Sequence, residues 1–212
     1  MAKQNSTIAV VSTKGGSGKT TVACCLAGEL SRRGRNVTLI DADPVGGMSL
    51  WHAAGGPLNA LPLLTDPTEA VTSTAAQAAQ KSTVIIDTAG AATSTLVAAL
   101  EAADIVLVPA RPSAGDAVRA LETVSMARKV AQARRRRIPI KVLLVGATPH
   151  SSVVPYIRGE LEGAGADVLT TEIHQRTAYV VAGINGTAPC WMGYAARQAA
   201  EDMQALADEL GL

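Results

Sequence analysis

The segment Lys14-Gly15-Gly16-Ser17-Gly18-Lys19-Thr20-Thr21 constrains this chain more than any other. It follows a short apolar run, Thr7–Ser12, and opens a helical stretch from about Lys19 to Arg33 that Gly34 stops. Glycines in such a place let the backbone curl until several N–H groups converge on one anion. The positive end of the following helix points at the same spot. On this reading Gly15, Gly16, Ser17 and Gly18 cradle phosphate and Lys19 reaches the β- and γ-phosphates. Thr20 then ligates Mg²⁺ and Thr21 contacts the α-phosphate. The usual P-loop pattern asks for Gly where Thr13 stands, and Lys14 opens the loop instead. The motif is therefore the deviant form.

Four further apolar runs recur along the chain: Asn36–Asp41, Thr83–Asp87, Asp104–Pro109 and Ile140–Val145. Each is continuous rather than alternating, as a strand covered on both faces should be. Ala-rich helical stretches separate them, with others predicted at about Ala114–Arg134 and Trp191–Leu210. The β-α-β order predicts an α/β fold: a doubly wound, mainly parallel sheet of about seven or eight strands with helices on both faces. The Gly- and Pro-rich stretch Gly46–Leu64 reads as an insertion over the sheet edge. It carries an exposed-looking Trp51–His52 pair and a possible extra strand, Leu58–Leu64. No composition shift marks a second domain, and no repeat is visible.

Two strand ends carry carboxylates. Val37–Pro44 (VTLIDADP) finishes with Asp41 and Asp43, which strand alternation places on one side, and Val84–Gly90 (VIIDTAG) finishes with Asp87. In a parallel sheet the C-terminal strand ends form the ligand crevice. Asp87 has the form of a Walker B carboxylate holding Mg²⁺ through water, with Asp43 as a further metal-side carboxylate. Alone, each aspartate reads as a turn residue or helix cap. Three matched strand ends around one nucleotide favour the site.

Composition excludes other classes. Nineteen basic side chains against eighteen acidic ones give a formal charge of +1, which rules out a globally basic nucleic-acid binder but not a local basic patch. Cys24, Cys25 and Cys190 form neither a disulfide framework nor a metal-ligand spacing, and the adjacent pair reads as small core residues. The N-terminus lacks the apolar stretch and cleavage site of a signal peptide. No run of about 18 apolar residues occurs. A cytosolic protein is expected, with no room for a helix-turn-helix domain ahead of the first strand.

KGGSGKTT, DADP and VIIDTAG, in that order, resemble the deviant Walker A ATPases of the ParA/MinD class, most of all the short single-domain ParA-type partition ATPases. The likeness in layout runs from about Thr7 to the C-terminus. DIVLVPARPSAGDA resembles the strand and helix after the Walker B strand, and Ile173–Tyr179 (IHQRTAY) resembles a later segment of the short ParA proteins. Val45 departs from the pattern, since many members carry Gln after Asp-Pro.

The resemblance implies one ATPase domain over 1–212 and an ATP-dependent switch with ATP and Mg²⁺ as cofactors. Two ATP-bound monomers would form a homodimer in which Lys14 of each crosses to the phosphates held by the other, as an arginine finger does. The bland reading of Lys14 is a solvated loop cation. Asp43 would position the attacking water with Asp41 behind it; spacing favours Asp43 only weakly and the family pattern decides. Thr148 and Pro149 at one strand end, and the loop around Pro189, are where the family places adenine.

The resemblance also implies non-specific DNA binding by the ATP dimer, nucleoid association, slow intrinsic hydrolysis and a ParB-like or other adaptor that stimulates it. Candidate DNA contacts are Arg134, Arg135, Arg136 and Arg137, with Arg128 and Lys129 earlier in the same predicted helix. The same run also reads as a solvated helix C-terminus. Arg158, Arg176 and Arg197 are lesser candidates. Membrane attachment of the MinD kind is disfavoured by the final helix, whose Glu201, Asp202, Asp208 and Glu209 would be repelled by anionic lipid. A small-molecule kinase or ligase on the same fold is the alternative, with Trp51–Leu64 and His52 as its only source of a second pocket.

Overall fold

The computed structural model describes residues 5–212. The reading of the extreme N-terminus as lacking a signal peptide falls largely on residues 1–4, outside the described residues. The apolar runs become strands: β1 Thr7–Val10, β2 Val37–Ala42, β4 Thr83–Thr88, β5 Ile105–Ala110 and β6 Ile140–Ala147, joined by β3 Leu63–Thr65 and β7 Asp167–His174. The helices are α1 Lys19–Arg32, α2 Gly47–Ala53, α3 Val71–Ala79, α4 Ser94–Ala102, α5 Ala114–Ala133, α6 Val153–Gly163, α7 Thr177–Ile184 and α8 Arg197–Glu209. All seven strands lie parallel in the order β3-β2-β4-β1-β5-β6-β7. This is the doubly wound α/β sheet, with β1 at its centre.

Strand alternation sorts the core into two layers. Ile8, Val10, Leu39, Ile85 and Leu107 face α1 and α8, where they meet Leu26, Leu30, Met203 and Leu206. Ala9, Val106 and Val108 face α4 to α6, and Ile40, Val84 and Ile86 face α3. The same alternation turns Asp41 and Asp87, which are register partners, toward the α1 side. Cys24 and Cys25 are fully buried in α1, and burial pushes both thiols up, as expected of small core residues.

α1 packs closely on the segment before α8. A Cβ added at Gly28 would lie 2.3 Å from the Ala188 Cβ and 3.2 Å from the Trp191 ring. Gly28→Ala is therefore expected to destabilise the protein by about 1–3 kcal/mol, despite alanine's better helix propensity. Urea unfolding followed by circular dichroism measures it.

Three expectations are corrected. The Gly46–Leu64 stretch, expected as an insertion over the sheet edge, is part of the packed fold: α2 buries Met48 and Trp51 against α1, a 3₁₀ turn covers Pro57–Ala60, and the possible strand Leu58–Leu64 narrows to an edge strand at Leu63–Thr65. Trp51 is 8% exposed, and its indole N–H donates to the Thr187 carbonyl at 3.0 Å. The final helix begins at Arg197 rather than Trp191, because Gly193 at φ 71° breaks the chain into two 3₁₀ turns. β7 escaped the sequence reading.

Candidate functional site

The phosphate-loop segment sits at the C-terminal end of β1, at the mid-sheet crevice. Gly16 and Gly18 have φ of 74° and 91°, and a Cβ on Gly18 would also press on Val145 at 3.3 Å, so the turn into α1 requires glycine there. Lys19 is 6% exposed and its Nζ donates to the Lys14 carbonyl at 3.2 Å. Burial lowers its pKa, opposed by the nearby Asp87 and Asp43 carboxylates. A buried cation held near two acids by one carbonyl is poised for an anion.

Below it, the Thr20 hydroxyl donates to Asp87 Oδ2 at 2.6 Å. Asp87 is fully buried, and its Oδ1 has no partner among the described residues. A buried carboxylate oxygen left open beside a hydroxyl suits a hard divalent cation. Among the described residues no cluster of three or more His, Cys, Asp or Glu stands ready for a metal, so phosphate oxygens and water would complete the shell, as Mg²⁺ prefers. The Ser17 hydroxyl is the other buried unpartnered group of the loop.

Burial raises the Asp87 pKa to about 7, with the Asp41 charge adding and the Thr20 hydrogen bond opposing. The folded chain therefore keeps a proton on Asp87 up to about pH 7, where the unfolded chain has lost it near pH 4. Stability from this group falls as pH rises between those values, with a slope approaching about 1.4 kcal/mol per pH unit. Asp87→Asn carries no such term. In EDTA, its thermal midpoint should rise relative to wild type as pH goes from 5 to 8.

Asp41 and Asp43 divide their work. Asp41 is fully buried and spent: Oδ2 accepts from the Ser49 N–H at 2.7 Å and hydroxyl at 2.6 Å, and Oδ1 from the Asp43 N–H at 3.2 Å. It fixes the loop and α2. Asp43 is half-buried, and its Oδ1 accepts from the Val45 N–H at 2.9 Å, while its Oδ2 has no hydrogen-bond partner among the described residues. Of the two, Asp43 has the free oxygen.

Lys14 lies at the rim, where its Nζ pairs with Asp116 Oδ2 at 2.5 Å. Asp116, buried at the start of α5, also accepts from the Ser113 hydroxyl at 2.6 Å. Burial raises the Asp116 pKa, and the hydrogen bonds from Lys14 and Ser113 outweigh it to hold the carboxyl below the usual range. Lys14 is thus bound within its own chain rather than simply solvated. Sequence reasoning missed Asp116. It also missed Arg111, whose Nε donates to the Gly16 carbonyl at 3.1 Å.

Beside Gly18 and Thr21 lies a cavity of about 140 Å³, walled by Val145, Gly146, Gln175, Arg176 and Tyr179. Thr148 and Pro149 line a neighbouring depression of about 460 Å³ that shares Gln175 and Arg176. Pro189 does not join them. It is buried next to Ala188, which abuts Gly28 in the far half of α1, and the chain reaches the crevice earlier, at residues 175–179. Asp202 of α8 anchors that wall, accepting from Arg176 Nε at 3.1 Å and from the Tyr179 hydroxyl at 3.3 Å. Asp202 thereby leaves the acidic outer face on which the sequence reading placed it.

The arginine run lies elsewhere. α5 is 20 residues long, about 30 Å, and its C-terminus is at the opposite end of the sheet from Lys14. The helix stops at Ala133, and Arg135 turns to φ 53°, so the four arginines share no helical face. Arg134 pairs with Glu101, Arg136 with Asp104 at 2.7 Å, and Arg128 donates to the Gly165 carbonyl at 2.5 Å. Arg135, Arg137 and Lys129 have no ion pair among the described residues. His52 holds the Leu61 carbonyl at 2.9 Å, a local structural role. Among the described residues no helix is long and apolar enough to cross a membrane.

The chain is similar to known proteins in sequence and fold. The model of the CobQ/CobB/MinD/ParA nucleotide binding domain matches residues 8–189. The chain is 29% identical to the maintenance of carboxysome distribution protein A of Halothiobacillus neapolitanus, over 96% of this chain and 95% of that protein. It is 31% identical to the protein ParA of Rhizobium radiobacter, over 81% of this chain and 79% of that one. The fold is that of the Cyanothece McdA–ATP complex, with a TM-score of 0.79 and 19% identity, covering 99% of this chain and 97% of the other.

Proposed function

The chain belongs to the CobQ/CobB/MinD/ParA family of nucleotide-binding ATPases, and on that premise we propose that residues 1–212 form one ATP-hydrolysing domain that positions plasmid DNA or another cellular cargo. The observation that carries the reading is the open Asp87 Oδ1 beside the Thr20 hydroxyl, beneath the loop and Lys19. ATP would lie with its phosphates on the amides of Gly15–Thr21 and its sugar and base toward Gly146, Thr148, Pro149, Gln175 and Arg176. Thr20 and Asp87 would hold Mg²⁺, which neutralises phosphate charge when bound. Lys19 takes the β- and γ-oxygens. Asp43, through its uncommitted oxygen, orients the attacking water and accepts its proton.

Lys14 makes turnover conditional on association. In the single chain it rests on Asp116, so it supplies no charge to a transferring phosphoryl group. In an ATP dimer it would exchange that carboxylate for the partner copy's phosphates, a denser negative charge. The dimer would then bind DNA non-specifically in the cytoplasm and dwell on the nucleoid, until a ParB-like or other adaptor speeds hydrolysis and releases it. The curated relatives support this reading: one carries carboxysome distribution in its name and the other is a ParA.

Light scattering with Mg²⁺ and a non-hydrolysable ATP analogue tests it. Wild type is expected to double in mass, and Lys14→Ala to stay single while binding the analogue within about threefold of wild type. A wild type that remains monomeric at saturating analogue would defeat the proposal.

A further inference from the structure

At the end of the sheet away from the phosphate loop lies a groove of about 790 Å³, within the range of roughly 300–1,000 Å³ common to ligand sites. One bank is Pro62 and Leu64 of the β3 segment, the other the C-terminal turn of α3, and the buried hydroxyl pair Thr38–Ser82 (2.7 Å) lies between them. Its two charged lining side chains, Arg35 and Lys81, are both cations, and no carboxylate lines it. Arg35 Nη1 donates to the Thr83 hydroxyl at 3.3 Å, while its buried Nε has no partner among the described residues. The site is electrostatically lopsided.

β3 borders this groove as a free sheet edge. The Leu39 N–H bonds to the Pro62 carbonyl and the Asp66 N–H to the Asp41 carbonyl, so even-numbered residues face β2. The main-chain groups of Leu63 and Thr65 point outward, and among the described residues nothing takes them. Leu64 is 40% exposed. The opposite edge is obstructed at its middle. At the irregularity in β7, Glu209 accepts from the N–H groups of Thr170 and Thr171 at 2.7 and 2.8 Å, and Arg158 donates to the Leu169 carbonyl at 2.6 Å.

We infer that the β3 edge and its groove dock an extended acidic peptide of another protein. Main-chain pairing to Leu63 and Thr65 would supply affinity. An apolar side chain would pack on Leu64 and Pro62, and carboxylates would meet Arg35 and Lys81. Charge decides the occupant: a basic strand pairing with the edge would meet like charge at Arg35 and Lys81, and an uncharged one would leave both cations without a counter-charge in a groove that no carboxylate lines. This site is separate from the nucleotide crevice, and the inference stands or falls apart from the proposed ATPase cycle.

The test uses the full chain and a fluorescein-labelled decapeptide of alternating Val and Glu, read by fluorescence anisotropy. Binding is expected with or without an ATP analogue, unchanged in Lys19→Ala, and weakened at least tenfold in Arg35→Glu/Lys81→Glu. Thr65→Pro removes only an outward N–H on an edge strand, a change the fold tolerates; it too should weaken binding tenfold, with an unchanged thermal midpoint. Equal binding of a Val/Lys peptide, or full binding by the charge-reversed variant, overturns the inference. So does full binding by Thr65→Pro, which would make the groove a simple anion pocket. Nucleotide-independent self-association abolished by Thr65→Pro would overturn it in favour of a second copy.

Discussion

Lys19→Ala is expected to lose ATP binding by about two to three orders of magnitude while the protein stays folded. The substitution removes a desolvated ammonium whose one hydrogen-bond partner among the described residues is the Lys14 carbonyl. Deleting one partner of a buried charge pair costs about 3–5 kcal/mol, and the phosphates would become that stranded partner. In the empty protein the balance differs. Burial already lowers the Lys19 pKa, so loss of the cation relieves a desolvation cost. Isothermal calorimetry with Mg²⁺-ATP, paired with a thermal melt, separates the two. Binding by Lys19→Ala at wild-type strength would remove the loop from the nucleotide site.

Asp43→Ala should separate binding from turnover. Hydrolysis is expected to fall by about 10²–10⁴-fold, the usual span for a lost general base, while the analogue-induced dimer forms normally and persists with ATP. Asp43 also holds the Val45 N–H, so alanine loosens the loop as well. Asp43→Asn keeps an acceptor for that N–H and removes only the proton-accepting charge. If the residue acts on water, Asn should be nearly as slow as Ala. If it only shapes the turn, Asn should restore most of the rate. Single-turnover phosphate release by the preformed dimer distinguishes them.

What was legible in the sequence followed burial. The five apolar runs were readable because both faces of a central strand are covered, which leaves no polar interruption. β7, with the sequence DVLTTEIH, lies at an edge and is interrupted by polar residues, so no continuous apolar run marks it. α2 was invisible because GMSLWHA owes its helix to distant partners: Asp41 holds Ser49, and Trp51 meets Gly183 and Thr187. The phosphate loop and Asp87 were readable because their chemistry is local. Asp116 was not, since 102 residues separate it from Lys14 and only the crossing of α5 over the loop joins them. Pro189 is buried and lines neither depression beside the phosphate loop: likeness of order along the chain does not fix where a loop passes. The arginine run looked continuous in one dimension, but the helix ended beneath it.

The unequal edges of the sheet limit how copies of this protein can assemble. A fibre grown by strand addition needs a donor edge and an acceptor edge on every unit, so that each copy can hand growth to the next. With β7 obstructed at its middle by Glu209 and Arg158, β3 is the edge left open along its length among the described residues, and two like edges that meet exhaust each other. Polymerisation through the sheet therefore ends at a pair.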